Sequence, residues 1–143
     1  MIIRILSPQI PMFWDAIKFS LKAVESIEEK DLQAVYNELL HALLSDKAQC
    51  FVSFNEQKIL GALLITRISV DKVTDEKYLL FQTIYAWDKL TDKDWKDGFN
   101  LVRQLAEKEH CKYLSCRSNN PRIWDMATTY GLKEKYRTFE ARL

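Results

Sequence analysis

Apolar and polar positions along the chain recur with two different periods, and the places where the period changes divide it into elements. Ile2 to Leu6 is a short apolar run with strand character. Phe13, Ile17, Leu21 and Val24 then recur at spacings of four, four and three, the period of an amphipathic helix ending near Ser26. Pro11 suits its first turn, where the missing N–H would be unpaired anyway. After the acidic stretch Glu25 to Asp31, the residues Leu32, Val35, Tyr36, Leu39, Leu40, Leu43 and Leu44 keep the helical repeat without a miss. Asp31 is placed to be the N-cap of that second helix.

From Gln49 the pattern changes to strands. Gln49 to Phe54 and Ile59 to Ile68 flank the turn Asn55 to Lys58, and the polar segment Ser69 to Glu76 leads into a long aromatic-rich strand, Lys77 to Trp87. Thr91 opens a helix that runs to about His110 with Phe99, Val102, Leu105 and Ala106 on one face. Lys112 to Arg117 is a short strand. Asn120-Pro121 starts a last helix by the cap-then-proline rule, and Gly131 ends it as a left-handed cap. Leu132 to Leu143 is expected to be the closing strand. The order β-α-α-β-β-β-α-β-α-β predicts one α/β domain over residues 1–143. Its architecture is a mixed central sheet of about six strands with helices on both faces.

Composition narrows the chemistry. The 143 residues carry 21 Lys plus Arg against 20 Asp plus Glu, a formal charge of +1, which argues against a nucleic-acid binder. Only three glycines are present, Gly61, Gly98 and Gly131, far apart, so a P-loop, a GxGxxG turn and a GxSxG elbow are excluded. The N-terminal run is broken by Arg4 and lacks a signal-peptide pattern, and no apolar stretch approaches the roughly 20 residues that span a bilayer. Three cysteines, Cys50, Cys111 and Cys116, make no disulfide framework. The expectation is a cytoplasmic protein with reduced thiols and no membrane partner.

Three segments carry a resemblance. Phe51 to Ile68, with Lys58-Ile-Leu-Gly61 at its turn, looks like a "dgkivG" hairpin. Ala106-Glu-Lys-Glu-His-Cys111-Lys-Tyr-Leu114 looks like an "A-x-x-x-G-C-x-x-L" junction, and Asn120 to Leu132 like an "N-x-x-A-x-x-L-Y-x-x-x-G-F" helix. In this order and spacing they resemble the GNAT superfamily of acyl-CoA-dependent N-acyltransferases over nearly the whole chain. That resemblance implies a coenzyme A site at the loop after the fourth strand, read Q/R-x-x-G-x-G/A in the family. It also implies a general-acid tyrosine four positions before the glycine of the last helix.

Both features differ here. The residues matching the cofactor loop are Leu90, Thr91, Asp92, Lys93, Asp94 and Trp95, with no glycine to let the backbone approach a pyrophosphate. One of its two carboxylates, about 6 Å from a phosphate charge at an effective dielectric of about 20, repels by roughly 3 kcal/mol before screening. That is on the order of 100-fold in affinity. Thr91 to Asp94 also reads as a near relative of the capping box, in which the helix fills its own anion site. Ala127 stands where the acid tyrosine is expected. Tyr130, about 60° round the helix, either substitutes or packs. The fourth strand holds no carboxylate, which leaves a base only through water held by Glu25, Glu28 or Glu29.

Other constellations have plain alternatives. His110, Cys111 and Cys116 match no common zinc spacing and would need His41 or Cys50 as a fourth ligand, so no metal is expected. His110 and Cys111 are adjacent and point in different directions, which argues against a Cys–His nucleophile. Arg117 to Arg122 either meets an anion or serves as loop and N-cap, and Asn120 is carried as a cofactor-loop candidate. Trp14, Trp87, Trp95 and Trp124 are many for a small core. Trp87 and Trp95 flank the cofactor loop and are either core or, where exposed, anchors of a protein interface.

The resemblance and its departures lead to a GNAT-fold protein without acetyl-CoA, working as a structural or interaction module with a protein partner or a second copy of itself. Glycine-poor sequences of this pattern resemble GNAT-like proteins of phages and prophages, which implies an assembly or virion-associated role in host cytoplasm or particle. The alternative is an active acetyl-CoA-dependent N-acetyltransferase with an atypical cofactor loop and Tyr130 as acid.

Overall fold

A computed structural model describes residues 1–143. The strands β1 (Ile2–Ile5), β2 (Ala48–Phe54), β3 (Leu60–Val70), β4 (Lys77–Ala86) and β5 (Tyr113–Cys116) form one sheet in sequence order. The first four pair antiparallel, as short connections allow, and β5 joins β4 parallel after a helical crossover. Strand alternation sorts the core into two layers. Ala48, Cys50, Val52, Leu63 and Ile65 bury against α1 (Ile10–Val24) and α2 (Leu32–Leu44). Their neighbours Phe51, Leu79 and Phe81 bury on the other face against Val102, Leu105 and Ala106 of α3 (Asp92–Lys108). The last helix, α4 (Pro121–Thr129), covers the same face through Ile123.

Helix ends follow local chemistry. Asn120 Oδ1 accepts from the Arg122 N–H at 3.0 Å with Pro121 in the first turn, as expected. At the other end of α4, Gly131 at φ +89° closes a Schellman turn: the Leu132 N–H donates to Ala127 O at 2.9 Å and the Gly131 N–H to Thr128 O at 3.1 Å. Asp31 does not cap α2. It ends a 3-10 turn, Glu29–Asp31, with helical φ −99° and ψ −12°, and its carboxylate bonds no helix N–H. A capping side chain needs an extended backbone to fold back on the first turn.

The closing strand is also corrected. Leu132 to Leu143 forms no strand, so the sheet has five strands rather than about six. Lys133 to Arg137 is a charged run with no alternating apolar face, and β5 offers an edge of only four residues to pair with.

Two features of β4 open the sheet. Ile65 pairs with Thr83 and Thr66 with Phe81, so Gln82 is an extra residue, a β-bulge that bends the strand. β5 pairs only with Tyr78 to Phe81 and stops at Cys116. Beyond the bulge, β4 has a neighbour on one side only.

Candidate functional site: the cleft between the fourth and fifth strands

The gap left by the splayed strands is a cleft of about 870 Å³. Its floor is Ile84, Tyr85 and Ala86 of β4; its rims are the 87–90 loop, Trp95, Ser118 to Asn120 and Arg122, with Ala23, Val24 and Ser26 at the end of α1. The backbone makes part of this surface. The Trp87 N–H donates to Gly61 O at 2.8 Å, which marks that residue pair as hydrogen-bonded. Antiparallel ladders alternate, so Ala86 and Ile84, paired with Ala62 and Leu64, turn their N–H and C=O groups away from β3 and toward the cleft.

The bulge is held from the α2 side. Arg67 on β3 donates through Nη1 and Nη2 to Glu38 of α2 at 2.6 and 2.5 Å, and through Nε to Gln82 Oε1. The Arg67 guanidinium holds the Glu38 carboxyl below its usual range, mainly by hydrogen bonding. Thr83, next to the bulge, has a buried Oγ1 without a hydrogen-bond partner.

An ion pair bridges one end of the cleft. Arg117, just past β5, donates to Glu25 Oε2 at 2.9 Å across 92 positions of sequence. Glu25, considered for a water relay, is therefore tied to Arg117. Glu28 pairs with Lys30 at 3.3 Å and Glu29 with Lys22 at 3.8 Å, both on the surface.

The start of α3 carries the residues matched to the cofactor loop. Thr91 Oγ1 accepts from the Asp94 N–H at 3.1 Å, and Asp94 Oδ2 accepts from the Thr91 N–H at 3.2 Å. This is a reciprocal cap, and the Trp95 N–H is taken by Thr91 O at 3.1 Å. Asp92 is exposed beside it, and Lys93 is turned to Asp97 at 2.5 Å, a hydrogen bond that raises the lysine pKa. Leu90 and Trp95 line the cleft on one side and an apolar cavity on the other. Asn120 lines the cleft while its side chain caps α4.

Trp87 is 38% exposed and packs with two other rings. Phe19 of α1 stacks on it at 6.0 Å and Tyr85 meets it edge-on at 4.9 Å. Tyr130 lies elsewhere: its ring stacks on Phe99 at 4.8 Å, and both Tyr130 and Ala127 line the apolar cavity under α3 and α4, not the cleft. The phenol that does line the cleft is Tyr85. Only the register of β4 could have signalled it.

No three His, Cys, Asp or Glu side chains gather as metal ligands. His41 is exposed on α2. Burial pushes the Cys50 thiol up to about 12 and raises those of Cys116 and Cys111. No helix is long and apolar enough to cross a membrane.

A five-stranded sheet splayed at a bulged fourth strand, between one helix pair per face, defines the GNAT fold, and solved structures agree. A predicted acetyltransferase from Clostridium acetobutylicum, determined with acetyl-CoA, superposes with a TM-score of 0.76 at 9% identity, covering 99% of this chain and 95% of that one. The aminoglycoside enzyme AAC(6')-Iy, in complex with a bisubstrate analogue of coenzyme A, gives 0.73 at 13% identity over 100% and 97%. The ribosomal-protein-alanine N-acetyltransferase of Brucella melitensis gives 0.68 at 13% identity over 100% and 99%. At these identities the likeness is one of fold. No family sequence model matches the chain, and no curated protein matches it in sequence.

Proposed function

We propose that this chain is a GNAT-fold interaction module whose cleft does not seat coenzyme A. The observation that carries this reading is the reciprocal cap at Thr91 and Asp94. A pyrophosphate at a helix N-terminus needs free backbone N–H groups and no nearby negative charge. Here the N–H groups of Thr91, Asp94 and Trp95 are already engaged, and Asp92 and Asp94 supply two carboxylates. The ring cluster of Phe19, Tyr85 and Trp87 is the kind of aromatic anchor that protein interfaces use. A phage or prophage assembly and a cytoplasmic or particle location are the setting we propose, following the sequence resemblance.

A second reading is an active N-acetyltransferase. It is favoured by the open cleft and by the free backbone groups of Ile84 and Ala86, which an extended acyl-pantetheine chain can meet as a strand would. Solved structures of this fold include one with acetyl-CoA. In this reading Tyr85 or Tyr130 is the acid, and a water held near Glu25 is the base.

Tryptophan emission separates the two readings, because Trp87 and Trp95 border the cleft. Emission unchanged to about 1 mM acetyl-CoA, a limit of roughly −4 kcal/mol, is the expected result. Saturable quenching at micromolar concentrations would establish the second reading.

A further inference from the structure

Three features on the α3–α4 side of the sheet are complementary. The first is an apolar cavity of about 90 Å³ whose wall includes Phe99, Cys116, Ile123, Met126 and Leu132. The second is the outer edge of β5, Tyr113–Cys116, which is the last strand of the sheet and pairs with β4 alone. Such an edge is a template for another strand. The third is the segment after Leu132, which packs on nothing else. Its 133–143 backbone makes no backbone hydrogen bond, and its one side-chain hydrogen bond, Arg137 Nε to Glu134 Oε1 at 2.6 Å, is internal. Tyr136 and Phe139 are 79% and 88% exposed.

The segment has the pattern that the edge requires. From Arg137 onward it alternates, with Phe139, Ala141 and Leu143 on one side and Thr138, Glu140 and Arg142 on the other. On β5, Leu114 and Cys116 face the α3 core, while Tyr113 is turned the other way to stack on Tyr78 at 5.0 Å. A strand added beside β5 in register therefore sets its apolar side over the cavity and its polar side toward solvent.

We propose that the C-terminal segment exchanges between two copies of this chain, each laying residues 137–143 along the β5 edge and over the apolar cavity of the other. Leu132 fixes the start of the segment at the cavity rim, and the Gly131 turn directs it off the body. The exchange is isologous, so it closes as a two-fold dimer. Four rings of about 200 Å² each, Tyr136 and Phe139 from both copies, supply roughly half of the 1,600 Å² of a standard interface. Strand pairing and Leu143 add the rest. The inference holds whether or not the cleft takes acetyl-CoA, so its failure and the failure of the functional reading are separate results.

Sedimentation equilibrium of the full chain from about 1 to 100 μM tests it, together with hydrogen exchange of the β5 amides. The expected result is a species of twice the 16.9 kDa chain mass with Tyr113–Cys116 protected. The double variant Tyr136→Asp, Phe139→Asp should dissociate at least about 30-fold more readily, as for loss of a hot spot. It should also expose the β5 amides with an unchanged circular dichroism spectrum, since neither ring packs on the body of the monomer. A full chain that stays monomeric at 100 μM overturns the proposal, even with the segment protected, because protection then means pairing within one copy. A dimer indifferent to the double variant, or one that dissociates with β5 exchange unchanged, overturns it as well.

Discussion

Replacing His110 with glycine should stabilise this protein. His110 follows the last turn of α3 at φ +60°, where the Cys111 N–H donates to Ala106 O at 2.9 Å and its own N–H to Glu107 O at 3.1 Å. That is a Schellman turn, whose left-handed position favours glycine. A residue with a Cβ pays roughly 1–2 kcal/mol to sit there. Glycine's greater freedom in the unfolded chain returns roughly 0.5–1 kcal/mol of that, leaving a net gain of about 0.5–1 kcal/mol. The His110 side chain is exposed and makes no hydrogen bond, so little packing is lost. With a urea dependence of about 2 kcal/mol per molar, the unfolding midpoint of His110→Gly should rise by about 0.3–0.5 M. Gly131→Ala is the mirror experiment. Its φ is +89° with open space where a Cβ would go, so its midpoint should fall by a similar amount for backbone reasons alone. A His110→Gly midpoint at or below that of the parent would refute this account of the α3 terminus.

Other outcomes follow from the same contacts. Thr91→Ala should lose about 1 kcal/mol of unfolding free energy, measured in urea, because the Asp94 N–H is left uncapped. Glu38 has a folded pKa below its unfolded value, so its pairing stabilises above the unfolded pKa and is lost as pH falls through the folded one. Glu38→Gln should therefore cost no more than about 1 kcal/mol at pH 7, because the carboxylate is largely exposed, and the gap in urea midpoints should close toward pH 3. Thiol titration of the native protein at pH 7 should leave Cys50, fully buried with its pKa near 12, unreacted until the chain unfolds.

What could be read in the sequence was what local chemistry determines. Thr91, Asn120-Pro121 and Gly131 act on their own neighbours, and all three stand at the helix ends where they were expected. The same logic overlooked His110, which adopts the left-handed turn although it is not glycine, at the position matching the glycine of the "A-x-x-x-G-C" pattern. Asp31 failed as a cap because the backbone entering α2 is already helical, a matter of the preceding turn and not of residue type. The cleft was legible only in outline. Its opening depends on Gln82 having no partner and on β5 ending at Cys116, and both arise from pairing between distant segments. The closing strand was read from apolar residues alone, and the edge it would join lies outside any local pattern.

The reading of the cleft turns on whether α3 has closed its own anion site. Calorimetric titration of the full chain with acetyl-CoA, at low and moderate salt, tests this most directly. The account predicts no saturable heat up to about 1 mM at either ionic strength, a free energy weaker than roughly −4 kcal/mol. Binding near 1 μM, about −8 kcal/mol, would contradict it and make this chain a cofactor-binding member of the fold.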